Sequence, residues 1–509
     1  MKRFTKVLAP LFVAVLLIQT QAADERDGFK PLFNGKDLSG WDGDPKFWSV
    51  KDGTITGQTT TENPTKGNTF IIWTNGVVDD FELRAKFKIT GGPRANSGIQ
   101  YRSKKMGDWV IGGYQADFEG GDTYSGILYE ERGRGILAER GQKTIIRENG
   151  KPEVVGSVGD SKEIQSKIKK EDWNEYHVIV RGNHLIHKIN GVTTVDVVDE
   201  DQKGRTMSGL LALQLHAGPP MVVQFKDIEI KRLKLSQNRK KIVLVAGKQS
   251  HGPGDHEFNA GVQLLNKSLQ NEKSVLSSFY LNGWPTDESA FDNADAILFY
   301  MDGGAGHPVI QGDHIEIVDK LAANGVGLGF AHFAVEVPAG KGGDAFKRWI
   351  GGHYEHQFSV NPMWSPEYKT YPEHPVTRGV KPFSVNDEWY FNMRWQDGAK
   401  GITHILVDKP SDDVRDGPYV YPQGPYDHIK AATGRPETMM WTFERADGGR
   451  GFGFTGGHRH KNWGDDSFRK VVLNGLLWIA KVEVPANGVE STVSEEDLKQ
   501  NLDPKVKRS

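Results

Sequence analysis

The chain has no cysteine. That excludes disulfides, thiolate metal sites, a cysteine nucleophile and a lipid-modified cysteine. Stability rests on packing alone, which a length of 509 residues permits. An excess of charge of one sign is also missing. The 64 Lys and Arg stand against 66 Asp and Glu, so nothing points to nucleic acid as a partner. Beyond Ile18 there is no long apolar run. At the amino terminus Lys2, Arg3 and Lys6 precede the apolar stretch from Leu8 to Ile18, and Thr20-Gln21-Ala22 gives a small-residue cleavage site. This pattern predicts a signal peptide over 1–22 and an exported protein, periplasmic or secreted, with no membrane anchor after cleavage.

What is abundant is glycine, with 60 residues, which points to many turns. From 27 to 235 the chain reads as all-β. Alternating runs such as FELRAKFKI (Phe81 to Ile89) and YHVIVRG (Tyr176 to Gly182) are bounded by turn signals. Asn190-Gly191 is a strong hairpin signal, because both residues readily take positive φ. Many short strands with glycine turns predict a sandwich. A basic, polar linker over 236–240 follows. From 241 to 485 apolar runs alternate with helical ones, which predicts an α/β domain whose parallel sheet is covered on both faces. The best helix ends at Ala480, with Asp465 or Asp466 as its cap. The segment 486–509 is polar and reads as a loose tail.

Twelve of the 16 histidines lie between His251 and His460. His251 and His256 follow KIVLVAG, His332 follows GVGLGF, and His458 and His460 follow GFGFTGG. Strand ends of an open α/β sheet share one edge, where ligands bind. These five imidazoles are therefore candidate ligands for zinc or a similar divalent ion, with Glu336, Asp387 and Glu388 as nearby carboxylates. No local spacing is diagnostic, and there is no HExxH helix. A metal-free sugar pocket and unconnected structural histidines stay open as readings. Trp389 and Trp463, beside this rim, are candidate sugar-stacking residues. Nothing calls for a nucleotide cofactor.

In the β region three strands each carry a polar stripe. Asn96, Gln100 and Arg102 share one side of NSGIQYR, Gln115 and Asp117 share one side of GYQADF, and Gln214 and His216 share one side of LALQLH. Amides, a guanidinium, a carboxylate and an imidazole on one sheet face suit a sugar, and the last two can move protons. A solvated outer face is the bland alternative.

Residues FKPLFNGKDLSGW (Phe29 to Trp41), NSGIQYR, SGILYE (Ser125 to Glu130), DWNEYHV, LQLH and VQFKDIEIKRL resemble the 3-keto-disaccharide hydrolase family. The resemblance implies a concanavalin-like jelly roll that cleaves glycosides oxidised at carbon 3. The ketone acidifies the proton on carbon 2, a base removes it, the group on carbon 1 leaves from the enolate, and water adds back. The candidates are Asp117 or His216 as base, with Arg102 steadying the enolate. Glu130 is a further carboxylate, and Asn96, Gln115, Tyr129 and Gln214 bind an oligosaccharide or glycoside. Where the family often carries a glutamate, two residues before Gln115, this chain has Gly113, so a carboxylate must come from Asp117, Glu130 or Glu131.

The second half, through KIVLVAGKQSHGPGDHEF, GVGLGFAHFA, HPVTRGVKPFSVNDEWY and GRGFGFTGGHRHKNWGDDSFRKVVLNGLLWIA, resembles the trehalose-utilisation (ThuA-like) family. This implies a class I glutamine amidotransferase-like, flavodoxin-like three-layer fold and a link to disaccharide breakdown through 3-keto sugars. The amidotransferase reaction needs a thiol and is excluded. His332 falls roughly where that nucleophile would be, which makes it a catalytic candidate too. The expectation is a carbohydrate-active hydrolase or lyase. The rival expectations are a carbohydrate-binding sandwich joined to a separate catalytic or inert domain, and a non-catalytic surface protein.

Overall fold

A computed structural model describes residues 28–236 and 238–506. The signal peptide read over 1–22 lies outside them. Among the described residues no helix is long and apolar enough to cross a membrane.

The first half is a sandwich of two sheets. In the first, Phe81–Thr90 sits centrally and alternates strictly, burying Phe81, Leu83, Ala85, Phe87 and Ile89 against the second sheet. The Asn190-Gly191 hairpin is present. His184–Ile189 pairs antiparallel with Val192–Asp199, and the two turn residues have φ of 51° and 81°. The second sheet holds the polar stripes on Asn96–Gly107 (β1), Val110–Glu119 (β2), Leu128–Glu131 (β3) and Leu210–Leu215 (β4). They lie side by side in the order β3, β2, β1, β4. Tyr101, Tyr114 and Phe118 point from it into the core.

The second half is built on Lys240–Ala246 (β5), Phe258–Ser268 (α1), Val275–Tyr280 (β6), Ala296–Tyr300 (β7), His314–Ala323 (α2), Gly327–Ala331 (β8), Lys341–Ile350 (α3), Ile402–Asp408 (β9), Glu437–Glu444 (β10), Arg450–Phe454 (β11) and Asp466–Ile479 (α4). The sheet order is β6, β5, β7, β8, β11, β10, β9. The first five strands are parallel, while β10 and β9 run antiparallel at one edge, so the sheet is mostly rather than wholly parallel. Ile242 and Leu244 of β5 pack with α1 and α4, and Val243 and Val245 pack with α2 and α3, giving three layers. Asp465 caps α4, its carboxylate accepting from Phe468 N at 2.9 Å.

The segment past Pro485 corrects the expectation of a loose tail. Val489 is buried, Arg469 Nε donates to Ser491 Oγ at 2.8 Å, and Leu498 packs against the core. Its scattered apolar residues are too few for a periodic signal, yet Val489, Val493 and Leu498 find a prepared surface.

Candidate functional site

The carboxyl ends of β5, β7, β8 and β11 meet at one rim, and four chain segments deliver side chains to it. His256 comes from the loop after β5. His332 follows β8 directly, at a φ of 55° in a strand-to-helix turn. His458 follows β11. Glu388 comes from a short strand, Asp387–Glu388, in the excursion between α3 and β9. One ligand atom from each of the four lies within 4.8 Å of all the others. His332 Nε2 is 3.0 Å from His256 Nε2, His256 Nε2 is 3.0 Å from His458 Nδ1, and His458 Nδ1 is 2.7 Å from Glu388 Oε2.

The outer contacts fix which nitrogens carry protons. His332 Nδ1 donates to the Thr455 carbonyl at 3.0 Å, and His256 Nδ1 donates to Asp302 Oδ1 at 3.0 Å. Both Nε2 atoms are then lone-pair acceptors, and they face each other. Two facing acceptors at that separation suit a shared cation, and imidazoles oriented by carbonyl and carboxylate partners resemble the usual surroundings of a metal ligand. Burial and the neighbouring imidazoles hold His256 and His332 well below the ordinary histidine range, so both are neutral. Burial works the same way on His458, but the Asp255 and Glu388 carboxylates outweigh it and lift His458 to about 9. Glu388 Oε1 accepts from Asn361 Nδ2 at 2.7 Å, and Asp387 accepts from the Gly457, His458 and Asn462 donors, tying the Glu388 strand to the His458 loop. Three imidazole nitrogens and one carboxylate oxygen fit zinc or a related divalent ion.

A cavity of about 590 Å³ opens beside these ligands, lined by His251, Glu336, His356, Asn361, Glu388 and Tyr390 among others. Burial, then the Glu388 charge, pushes the Glu336 carboxyl up to about 8.

His251 is not in the four-atom set; it forms a second candidate cluster with His256 and Asp302, is exposed, stacks on the His256 ring at 3.5 Å between centroids, and stands at the cavity mouth. Two other expectations at this rim are corrected. His460 turns behind the loop towards Glu257 and Lys505, so its ring does not join the ligands. Trp389 and Trp463 are fully buried, packed on Phe454 and Phe468, because the chain turns at the rim and sends the indoles inward. Glu388, legible from the sequence only as a nearby carboxylate, joins the candidate set, and Asp302 supports His256. Asp302 follows the apolar run AILFYM, a visible but unspecific signal, whereas no such run precedes Glu388.

The sandwich presents a second site. On β1, β2, β3 and β4 a ladder of amides links two carboxylates. Asn96 Nδ2 donates to Asp117 Oδ1 at 2.9 Å, and Gln115 Nε2 to Asp117 Oδ2 at 2.6 Å. Gln100 Nε2 donates to Gln115 Oε1 at 2.5 Å, and Gln214 Nε2 to Glu131 Oε2 at 3.2 Å. Tyr129 stands opposite Gln115, and His216 continues β4 two residues past Gln214, where its Nδ1 donates to the Ala217 carbonyl at 2.6 Å. Burial dominates the two amide bonds and pushes the Asp117 carboxyl up to about 8.

Arg102 and Glu130 are corrected. A bulge after Tyr101 puts Arg102 at a φ of 48° and turns it off the polar face. Its guanidinium is buried against Asp80 Oδ1 at 2.8 Å and the Asp79, Gly182 and Thr206 carbonyls. Glu130 pairs across from Tyr114 on the inner side and binds Arg134 at 2.7 Å. Glu131 is the outward carboxylate, and it stands opposite Gly113. A Cβ at Gly113 would come within 2.7 Å of the Ser103 main chain, so a glutamate does not fit there, and the adjacent strand supplies the acid instead.

Residues 28–231 match the family described as 3-keto-alpha-glucoside-1,2-lyase-like domain, and residues 242–479 match the trehalose utilisation (ThuA) family. The chain thus carries, in series, one stretch similar to each of these two families. A search of curated protein sequences found no match. Among solved structures, a candidate glycosyl hydrolase from Parabacteroides distasonis is 21% identical and aligns over 40% of this chain and 99% of its own, with a TM-score of 0.29. The carbohydrate-binding module CBM66 from Bacillus subtilis is 16% identical over 38% of this chain and 95% of its own, with a TM-score of 0.26. A candidate ThuA-like protein from Parabacteroides merdae is 16% identical over 50% of this chain and 94% of its own, with a TM-score of 0.33.

Proposed function

We propose that this chain is an exported carbohydrate-active enzyme that cleaves 3-keto-glycosides at the polar face of its sandwich, and that its α/β rim holds a divalent metal ion. The observation that carries the cleavage reading is Asp117, a buried carboxylate held by two amide donors in the middle of a sugar-compatible face, on a domain matched to a lyase-like family. In this reading Asp117 takes the proton from carbon 2, the electron pair moves to the carbon 3 oxygen, and the bond from carbon 1 to the leaving oxygen breaks as the enolate collapses. The leaving oxygen takes a proton, for which His216 is the candidate donor. Water then adds at carbon 1. A base that titrates near neutral pH suits this work. Asn96, Gln115, Gln214 and Tyr129 are the sugar-binding groups. Arg102 has no part in it.

At the rim, His256, His332, His458 and Glu388 would hold the metal, which supplies Lewis-acid chemistry to an oxygen in the adjoining cavity. A second reading makes the sandwich a glycan-binding module and the rim the place of turnover. The facing lone pairs of His256 and His332 beside a cavity favour it.

The test supplies 3-keto-glucosides and their unoxidised parents to the intact protein, with and without chelation. The first reading expects turnover of the ketones alone, surviving chelation. Turnover abolished by chelation and unchanged in Asp117→Asn would move the chemistry to the rim, and equal inertness towards all substrates would remove the enzyme reading. Sequencing the amino terminus of exported protein checks cleavage after Ala22.

A further inference from the structure

The trehalose utilisation match ends at residue 479, but the chain continues across the α/β domain. Lys267 Nζ meets Asp497 Oδ1 at 2.5 Å, and Leu498 packs on the core cluster. The chain then passes beneath the loop that carries His256. There Lys505 is buried, with its side chain 1% exposed. Its Nζ donates to the Asp255 carbonyl at 2.5 Å and to the His256 carbonyl at 3.1 Å, and lies 3.3 Å from Glu257 Oε1. Glu257 Oε2 accepts from Asp503 N at 2.9 Å, and its Oε1 accepts from Gly254 N at 2.9 Å. Asp503 Oδ1 accepts from Asn259 Nδ2 at 2.8 Å.

One ammonium and one carboxylate thus grip three successive residues from behind. The middle one is His256, whose φ of 47° is unfavourable for a residue with a side chain. Such a conformation costs about 1–3 kcal/mol and persists only where the surroundings over-determine it. On its other side His256 N donates to the His458 carbonyl at 2.9 Å, so the loop is held from both flanks. The choice of lysine is informative. An apolar side chain would fill the same space at no cost in desolvation, and a cation behind a metal site repels the metal. What a cationic side chain provides, and an apolar one does not, is a simultaneous bond to two adjacent carbonyls.

We propose that the C-terminal segment is an integral part of the rim site, and that Lys505 is a positioning residue that holds the His256 imidazole in place to bind a divalent metal. This rests on the metal reading of the rim. It extends the site beyond the matched domain to residues that no ligand pattern would include.

The test compares full-length wild type with Lys505→Met and Lys505→Arg, each stripped and reloaded with Co²⁺ or Zn²⁺. Metal affinity, the visible spectrum of the Co²⁺ form, the melting temperature of the metal-free form and amide exchange over 250–258 are measured. Supporting interactions of this kind are worth about 10–100-fold in metal affinity. The expected result is a loss of that size in Lys505→Met, with a changed Co²⁺ spectrum and faster exchange over 250–258, and recovery in Lys505→Arg. Unchanged affinity and spectrum in Lys505→Met would overturn the proposal. Should Lys505→Met not fold, Lys505→Gln, which keeps one donor, takes its place. If wild type itself binds neither ion, the metal reading fails separately. Exchange over 250–258 that is then the same in wild type and Lys505→Met overturns the positioning role as well.

Discussion

Arg102 sits among one carboxylate and three main-chain carbonyls, and no polar atom of it reaches the sheet face. Replacing it with methionine strands the buried Asp80 charge, which costs about 3–5 kcal/mol when a buried pair is broken. Chemical denaturation of Arg102→Met checks this, with turnover per folded molecule expected unchanged. Asp117 has the opposite character. Its folded carboxyl is raised to about 8 from an ordinary value of 3.8 by burial, with Glu119 and Glu131 adding like charge. Between those two values the folded state holds more protons than the unfolded one, so stability falls as pH rises. Melting curves of wild type and Asp117→Asn should therefore diverge from pH 4 upward, with the asparagine variant gaining until about pH 8 and the gap constant beyond. A gap that shrinks as pH rises would contradict the assignment. These two residues share a sequence stripe with Gln100 and Gln115, and only one of them serves the face. A bulge depends on the partner strand, so its effect on Arg102 was not written in the local alternation.

At the scale of elements, what the sequence shows well is periodicity. Phe81–Thr90 alternates as its residues dictate, the Asn190-Gly191 turn closes its hairpin, and α4 begins at an aspartate. Removing that cap in Asp465→Ala should cost about 1 kcal/mol, read as a shift in denaturation midpoint without a change in slope. What the sequence shows poorly is direction at element ends. Trp389 lies beside Glu388, and strict alternation sends one to the ligands and the other into the core. His458 and His460 are also close neighbours, yet a turn separates a candidate ligand from a buried spectator. The strand ends themselves were legible, because apolar runs followed by His332 or by His256 can only end at the same edge of a parallel sheet. Glu388 was not assigned to the metal set, since it arrives from an excursion with no apolar strand to announce its destination.

Across the whole molecule the two domains are joined by buried polar contacts. Lys241, at the start of the α/β sheet, pairs with Asp79 of the sandwich, and Asn293 Nδ2 donates to the same carboxylate at 2.9 Å. Burial opposes the charge on Asp79, but Lys241 and Arg232 outweigh it and keep the carboxylate ionised. Arg232 Nε also donates to Ser289 Oγ at 3.2 Å across the junction. Calorimetry of the wild type should show one cooperative transition, and Lys241→Met should split it in two by removing the ammonium that bridges the domains at Asp79. A single unshifted transition in the mutant would show that the junction is not what couples the domains. None of this was visible in the basic, polar stretch around 231–241, whose charges read as solvated linker, because burial is decided by the partner domain.

The central claim is proton removal from carbon 2 by Asp117, and it is tested most directly with a 3-keto-glucoside deuterated at that carbon. The account predicts a primary isotope effect on kcat/KM in wild type and a loss of about 10²–10⁴-fold in rate for Asp117→Asn. Cleavage with no isotope effect, at a rate that the substitution leaves alone, would contradict it.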